Sequence, residues 1–344
     1  AQWHRGNLPG ADSWQQPMPK EVKPSDPAAE KLAKELRSWE ARLAACSGPE
    51  IDQWRIKVAQ KRAQLADAVL AGKQKSGKTL AEEYGYVSDQ IKDADGNVIY
   101  DRPAAEELIR WRLWDRTGGG LMVELGSHQL DAASIFISAM HGGKKQHPLN
   151  VSVAANRPLF GADREVEDHI ACLYEFPAPG YDPKDPFGSR KKITVQYSSI
   201  NGNGFGGYGE LVFGTKGTLM LLREQEATLW RGPGANKITA GAAGGPTMDT
   251  QASGTTQKAE SGPARSVSRG YTEEMEHWAW CIRKPSPQNQ PRCRPEVALV
   301  DAVIALTTNI AAKKGESIDF KEEWFDIDSD ETPEGVKPDL KRYA

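Results

Sequence analysis

The sequence is poor in cysteine, in long apolar runs and in charge of one sign. Four cysteines occur among 344 residues and none belongs to a C-x-x-C pair, so neither a disulfide framework nor a zinc cluster is expected. No stretch approaches the roughly 18 consecutive apolar residues that span a bilayer, which predicts a soluble protein, cytoplasmic by default, without a membrane partner. Lys plus Arg number 44 against 47 Asp plus Glu, a balance that argues against nucleic acid as a partner. A small polar substrate is the expected ligand.

The chain opens with AQWHRG, without an initiator methionine, a basic segment or an apolar leader. We interpret this strand-like start as that of a chain cut at a domain junction, with any export signal lying upstream. The sequence alone therefore leaves the location of the protein open.

Patterns typical of helices, then strands, then helices follow one another in blocks. Residues 20–95 carry apolar side chains at spacings of three and four, which predicts an αα-hairpin insertion. Strand-like runs lie between residues 150 and 232, and helices are predicted at about 271–283 and 295–313. We therefore expect one α+β domain over residues 1–344, with a mainly antiparallel open sheet and helices packed on one face. No alternation of strand and helix predicts a Rossmann domain.

Glycine-rich strings match nucleotide-binding motifs but stand in the wrong context. GKQKSGKT from Gly72 has the phosphate-loop spacing, yet an amphipathic helix precedes it where a buried strand is required. GNGFGG from Gly202 has the dinucleotide spacing, yet a strand follows it where a helix N-terminus is required. We interpret the first as a basic loop after a helix and the second as a flexible hairpin near a ligand. Residues 232–268, with few large apolar side chains, are expected to form a flexible or disordered loop.

An apolar helix predicted over residues 121–140 carries three ionisable groups on one stripe. Glu124, His128 and Asp131 stand at i, i+4 and i+7. An imidazole with a carboxylate one turn away suits acid/base work on a hydroxyl or carbonyl group. The alternatives are a hydrogen-bonded core histidine with a capping aspartate, or a metal site, for which a fourth ligand is not evident. No metal is therefore predicted.

Three polar residues at the start of the chain are further candidates. His4, Arg5 and Asn7 follow or end the first predicted strand, beside Trp3. They are expected either to face a substrate or to be solvated at the surface.

Several segments resemble the Gfo/Idh/MocA oxidoreductases. RTGGGLMVELGSHQLDAASIF, from Arg116, resembles the family's G-G-G segment followed by D/E-x-G-x-H-x-x-D. GGYGELVFGTKGTLML, from Gly206, resembles its later strand pair around a G-T-x-G turn, and the segment from Pro295 to Phe320 is similar to its closing helix and final strand. The resemblance covers residues 1–7 and about 103–320.

The resemblance implies a function for a larger protein. In that family a Rossmann domain binds NAD or NADP and supplies a lysine, and a second, open-sheet domain carries the substrate pocket. By resemblance this chain is the second domain, His128 is the acid/base that exchanges a proton with a sugar, cyclitol or related polyol, and Glu124 is its partner. Asp131 is then expected to support the helix or the imidazole ring.

The missing Rossmann domain is accordingly an expected partner, and the chain alone is expected to bind no cofactor and to be inactive. A homo-oligomer, formed through the exposed face of the sheet, is expected by resemblance. The alternative is a non-catalytic binding or oligomerisation module derived from the same domain.

Overall fold

The structure is a computed structural model that describes residues 1–9, 12–18, 27–70, 76–204, 207–223, 226–231, 237–240 and 270–337. In chain order the strands are β1 Gln2–His4, β2 Asp89–Lys92, β3 Val98–Arg102, β4 Asn150–Asn156, β5 His169–Pro177, β6 Lys192–Ile200, β7 Gly207–Gly214, β8 Gly217–Leu222, β9 Glu226–Arg231, β10 Lys237–Ala240 and β11 Ile318–Asp319. The α-helices are α1 Pro27–Ala45, α2 Glu50–Leu70, α3 Leu80–Glu83, α4 Ala104–Ile109, α5 Ser127–Met140, α6 Tyr271–Arg283 and α7 Pro295–Lys314. Short 3₁₀ segments occur at Trp111–Leu113, Gly188–Arg190 and Glu322–Phe325, and a π-helical segment at Met122–Gly126.

The chain forms two compact units. The first, here called the sheet unit, comprises residues 1–8, 119–159 and 167–344. The second, here called the hairpin unit, comprises residues 9–118 and 160–166. The expectation of one domain over residues 1–344 stays a prediction.

In the hairpin unit, α1 and α2 form the αα-hairpin that the spacing of apolar residues predicts. Trp39 and Trp54 meet edge to face, with ring centroids 6.1 Å apart. Lys61 Nζ lies over the Trp39 ring and donates a hydrogen bond to Glu35 Oε2 at 3.0 Å. Helix α1 ends at Ala45, just before the segment SGPE, and α2 begins at Glu50, the last residue of that segment. Gly48 adopts the left-handed conformation that the turn between the two helices requires (φ +68°). The predicted hairpin insertion is confirmed.

The hairpin unit also contains a β-hairpin that the sequence analysis does not predict. Strands β2 and β3 pair antiparallel around the polar segment DADGNV, at the end of the stretch for which the sequence predicts only a helical hairpin. Asp93 accepts hydrogen bonds from the backbone and side chain of Asn97, and Gly96 supplies the positive φ (+86°) that closes the turn. Because both strands are short and mostly exposed, they lack the apolar alternation from which strands are predicted.

The sheet unit is built on a nine-stranded sheet in the order β10-β9-β8-β7-β1-β6-β5-β4-β11. Every described pair is antiparallel except β1 with β6. The predicted hairpin at GNGFGG is wrong, because β1 lies between β6 and β7 and pairs with both. Strand β1 has only three residues, and so short a segment does not indicate from its own sequence that it pairs with strands nearly 200 residues away.

Helices α5 and α7 cover one face of this sheet. The Tyr174 hydroxyl bonds to Thr308 Oγ1 of α7 at 2.8 Å, and Gly126, just before α5, packs against the Tyr197 ring. Alternation along paired strands places Tyr174 and Tyr197 on the same face. The predicted α+β class, a mainly antiparallel open sheet with helices on one face, is confirmed.

Among the described residues, α7 is the one helix long and apolar enough to cross a membrane. It is nevertheless a core helix of the sheet unit: Ile304 and Thr308 are fully buried, and Asp301 pairs with Lys145.

Part of the predicted loop at 232–268 is the strand β10, which pairs with β9, and the rest of that prediction lies outside the described residues. Within the described ranges no parallel strand-helix-strand unit occurs.

Candidate functional site

The segment before α5 is shaped by glycine. Gly119 and Gly120 both adopt left-handed backbone angles (φ +65° and +67°), which glycine adopts without a steric penalty. A Cβ on Gly119 would lie 2.4 Å from the Cγ2 of Val123, so the turn has no room for a side chain there. The π-helical turn Met122–Gly126 follows, and such turns inside α-helices are frequent at functional sites.

His128 lies in the first turn of α5 and is exposed. Its ring centroid is 5.9 Å from that of Trp3, on β1. Trp3 in turn stacks on Tyr208 of β7, with centroids 4.6 Å apart and an angle of 25° between the rings. The Arg5 guanidinium carbon lies 5.8 Å from the centre of the Trp3 ring. We call these four residues, Trp3, Arg5, His128 and Tyr208, the Trp3 cluster.

The cluster combines groups that suit a hydroxylated ligand. Aromatic faces bind apolar C–H surfaces, and a guanidinium group such as that of Arg5 has five N–H donors. An exposed imidazole such as that of His128 can take up or release a proton. The arrangement can therefore hold a polar ligand with an apolar face beside an acid/base group.

Helix α5 is fixed to the strands that carry the cluster through its buried Gln129. In the amide orientation that satisfies its neighbours, Gln129 Nε2 donates to Glu210 Oε1 at 2.6 Å and to the backbone oxygen of Gln2 at 3.2 Å. Gln2 adjoins Trp3 on β1, and Gln129 adjoins His128 on α5. These two bonds therefore tie the residue next to His128 to the residue next to Trp3 and to β7.

Asp131 is paired with a lysine. Its Oδ1 accepts a hydrogen bond from Lys145 Nζ at 2.5 Å, and the same ammonium donates to Asp301 Oδ2 of α7 at 2.9 Å. Burial alone would lower the pKa of Lys145, but the two carboxylates raise it. Burial raises the pKa of Asp301 to about 6, with Lys145 opposing that shift. Asp131 thus joins α5 to α7, and its predicted support of the His128 ring stays a prediction.

Glu124 lies within the π-helical turn and is partly buried. The stripe predicted for Glu124, His128 and Asp131 assumes regular α-helical spacing, and the wider π turn rotates Glu124 relative to the two residues in α5. Its predicted partnership with His128 therefore stays a prediction. Within the described residues, no three His, Cys, Asp or Glu side chains are grouped as a metal site would require.

The three candidates near the N-terminus lie in different surroundings. Arg5 belongs to the Trp3 cluster. His4 follows Trp3 on β1 and so points to the opposite face of the sheet, and burial lowers its pKa. Asn7 is buried. Contact of any of the three with a substrate stays a prediction.

Two residues near β1 are not found by the sequence reasoning. Tyr208 joins the cluster because β7 pairs with β1, a register that the local sequence does not contain. Asn201 follows β6 and is 1 % exposed, and among the described residues its side-chain nitrogen and oxygen find no hydrogen-bond partner. Such a buried amide is costly unless something else satisfies it. No sequence signal singles it out from other asparagines.

No family model and no curated protein matches the chain. Several solved structures are partly similar to it. They include an NAD-binding protein from Listeria innocua (18% identity, 63% of this chain and 52% of that chain, TM-score 0.36), an oxidoreductase from Sinorhizobium meliloti (15%, 58% and 53%, 0.41) and an oxidoreductase from Agrobacterium radiobacter in complex with NAD+, L-tartaric acid and magnesium (16%, 58% and 48%, 0.37). The chain spans about half the length of each. At these TM-scores the likeness does not assign a function.

Proposed function

We propose that this chain is the substrate-binding and catalytic half of a nicotinamide-dependent oxidoreductase, that its substrate is a sugar, cyclitol or related polyol, and that His128 is the acid/base. The observation that carries the proposal is the position of His128. It stands in the segment that resembles the Gfo/Idh/MocA motif, and its ring lies 5.9 Å from Trp3 in a cluster that also holds Arg5. An exposed histidine beside an aromatic face and a hydrogen-bond donor is what proton exchange with a bound hydroxyl requires.

Neither glycine-rich string has the surroundings of a dinucleotide site. The string from Gly202 joins two strands, β6 and β7, and offers no helix N-terminus to a pyrophosphate. Thr79, which ends the string from Gly72, instead forms a capping box with Glu82 at the start of the four-residue α3. We therefore assign NAD or NADP to a separate Rossmann domain.

The role proposed for this chain is to bind and orient the substrate and to exchange one proton. The apolar face of a polyol would lie against Trp3, with hydroxyl groups directed to Arg5 and His128. In the oxidative direction His128 Nδ1 or Nε2 accepts the proton of the reacting hydroxyl. In the reductive direction the imidazolium returns it to the oxygen.

The first experiment measures ligand binding by the chain itself. Polyols and sugar derivatives are titrated into the chain while the His128 imidazole resonances are followed by NMR, with His147→Ala as a matched histidine variant. His147 stacks on Phe325, outside the Trp3 cluster. Binding that shifts the His128 resonances, is weakened by Trp3→Ala and is unchanged in His147→Ala is the expected result.

The second experiment tests catalysis. A nucleotide-binding domain from a related oxidoreductase is joined ahead of Ala1, and reduction of NAD or NADP is followed with the ligand identified by NMR. His128→Ala should lower kcat by about 10²- to 10⁴-fold, the range typical of a lost acid/base, whereas His147→Ala should not. Full turnover in His128→Ala would refute the mechanism. Ligand binding without turnover in any fusion would favour the non-catalytic module.

A further inference from the structure

Asn201 is a buried polar residue directly after β6. Its side chain is 1% exposed, and among the described residues neither the nitrogen nor the oxygen of its amide has a hydrogen-bond partner. A buried amide without partners costs free energy, so such groups are rare in folded proteins unless a water or a ligand satisfies them. The place of the amide in the sheet therefore indicates what satisfies it.

Asn201 lies next to Arg5 in the sheet. Strand β1 runs parallel to β6, with Gln2 paired to Ser198. Three residues further along both segments, the same register sets Arg5 beside Asn201. Arg5 N donates to Ile200 O at 3.0 Å, as it does when this parallel ladder continues. Because neighbouring strands are about 4.8 Å apart, Asn201 is the lateral neighbour of a residue in the Trp3 cluster.

The Asn201 side chain points to the same face of the sheet as the Trp3 cluster. Trp3 contacts His128 of α5, so alternation turns Trp3 and, two residues on, Arg5 to the face that helices cover. Residues side by side in adjacent strands point to the same face, which places Asn201 with them. The charge of Arg5 agrees with this placement: burial raises the pKa of the Tyr197 phenol on that face, and Arg5 opposes the rise.

The backbone around Asn201 is held on both sides. Asn201 N donates to Asp168 O at 2.9 Å, which continues the β5–β6 ladder one step beyond β6. Gly202 follows with a left-handed φ of +76°, and a Cβ there would clash with Leu159 Cδ1. Because the turn is closely packed, the backbone of Asn201 is restrained from moving to bring the amide to another partner.

A primary amide suits hydroxyl groups. Its nitrogen donates two hydrogen bonds and its oxygen accepts, while a hydroxyl group both donates and accepts. Two hydroxyls on adjacent carbons would satisfy both ends of the amide. A carboxylate only accepts hydrogen bonds, so it would leave the amide oxygen unpaired. The amide therefore favours a neutral diol over a carboxylate at this position.

We propose that Asn201 binds the substrate of the Trp3 cluster, and that its amide holds two hydroxyl groups on adjacent carbons, beside Arg5 and apart from the hydroxyl at His128. Arg5 lies two residues beyond Trp3 along the chain, about 6.6 Å, so the two residues contact different parts of one ligand. The inference rests on the function proposed above and narrows its substrate to a polyol with a vicinal diol beyond the reacting carbon. Removal of either hydroxyl of the diol leaves part of the amide unpaired and weakens binding.

The test measures whether Asn201 and one hydroxyl of the ligand depend on each other. The probes are myo-inositol and D-glucose, each with its monodeoxy derivatives, and dissociation constants are measured by NMR titration of the chain. Asn201→Leu removes the amide with little change in side-chain size, and Asn201→Ala is the second variant in case leucine does not fit. The matched control is Asn289→Leu. Asn289 is also buried, but its amide donates to Lys284 O and accepts from Cys281 Sγ.

At least one monodeoxy derivative should bind the wild type about tenfold more weakly than its parent polyol, because it leaves one end of the buried amide unpaired. In Asn201→Leu the parent should lose the same factor, so that the two ligands bind equally. The NH₂ resonances of Asn201, identified by their absence from the variant's spectrum, should shift together with those of His128. Urea unfolding should find Asn201→Leu at least as stable as the wild type, whereas Asn289→Leu should be less stable with its affinity unchanged.

Two results would overturn the inference while leaving the proposed function intact. In the first, a polyol shifts the His128 resonances, but both Asn201 variants discriminate the deoxy derivatives as the wild type does. In the second, both Asn201 variants lose stability at unchanged affinity, which would identify the amide as a structural group satisfied by buried water. If neither polyol binds the wild type, the proposed function itself is contradicted, and the inference fails with it.

Discussion

The two units use charged and aromatic residues in different ways. In the hairpin unit, Arg164 is 2% exposed, lies 4.0 Å above the Phe160 ring and bonds to the carboxylates of Asp12 and Asp163. In the Trp3 cluster of the sheet unit, His128 is exposed and its described contact is one aromatic ring. In the hairpin unit, the charge of Arg164 is balanced by the two carboxylates beside it. The Trp3 cluster leaves an ionisable group at the surface, where a ligand can meet it.

This difference allows the proposed binding role of the Trp3 cluster to be tested against the structural role of the buried charges. Fully paired buried charges lose stability when one partner is removed, because the other remains desolvated. An exposed group returns to water at little cost and is dispensable for folding. Stability should therefore respond most to substitution of buried residues, and the proposed function to substitution of exposed residues in the Trp3 cluster.

The largest loss of stability is expected for Arg164→Ala. It leaves the buried Asp12 without its cation and should lower the free energy of unfolding by about 3–5 kcal/mol. The matched control is Arg55→Ala, which removes an exposed pair with Asp52 and should change stability by less than about 1 kcal/mol. Urea unfolding of the three proteins checks this. Similar losses for both variants would contradict the contrast drawn between buried and exposed pairs.

Gly119→Ala is expected to have the next largest effect. The left-handed backbone costs about 1–2 kcal/mol for alanine, and the clash with Val123 adds about 1–3 kcal/mol. Gly142 has nearly the same φ (+67°), but a Cβ there would meet nothing within 4 Å, so Gly142→Ala should show only the backbone cost. Thermal unfolding separates the two. Equal melting temperatures would mean that Val123 does not restrict the turn before α5.

Asp301→Asn is expected to alter the pH dependence of stability. Burial raises the pKa of Asp301 to about 6 in the folded protein, above its ordinary value, so its contribution is present at pH 4 and falls as the pH rises through 6. The free energy of unfolding of the wild type relative to Asp301→Asn should therefore fall by about 1–2 kcal/mol between pH 4 and pH 7. Urea unfolding at unit pH steps measures this difference. A constant difference would show that Asp301 does not titrate in that range.

Local sequence patterns predict the helices of the sheet unit well and its strand order poorly. The apolar periodicity near residues 295–313 matches α7, because one face of that helix packs against the sheet unit's own core. The place of β1 depends on pairing with residues about 200 positions away, which no local pattern encodes. The β2–β3 hairpin is missed for a different reason. Its strands are mostly exposed, so they lack the alternation of apolar and polar residues from which strands are predicted.

The sequence likewise predicts only part of the candidate site. His128 stands out in the sequence because a histidine on an apolar helix needs an explanation. Its neighbours Trp3 and Tyr208 reach it only through the sheet register, so their stacking is a result of topology. The π-helical turn is also absent from the sequence pattern, because hydrophobic spacing alone does not distinguish one widened turn from a regular helix.

The smallest effect on stability is expected for His128→Ala, and it sharpens the contrast between the two units. The side chain is exposed, so its removal should change the free energy of unfolding by less than about 0.5 kcal/mol. Gln129→Ala, one residue further along α5, removes the bond from that buried amide to Glu210 and should cost about 1–3 kcal/mol. Urea unfolding of both variants measures the pair. If His128→Ala were the more destabilising of the two, the histidine would be a structural residue, and the proposed acid/base role would lose the free, exposed imidazole on which it depends.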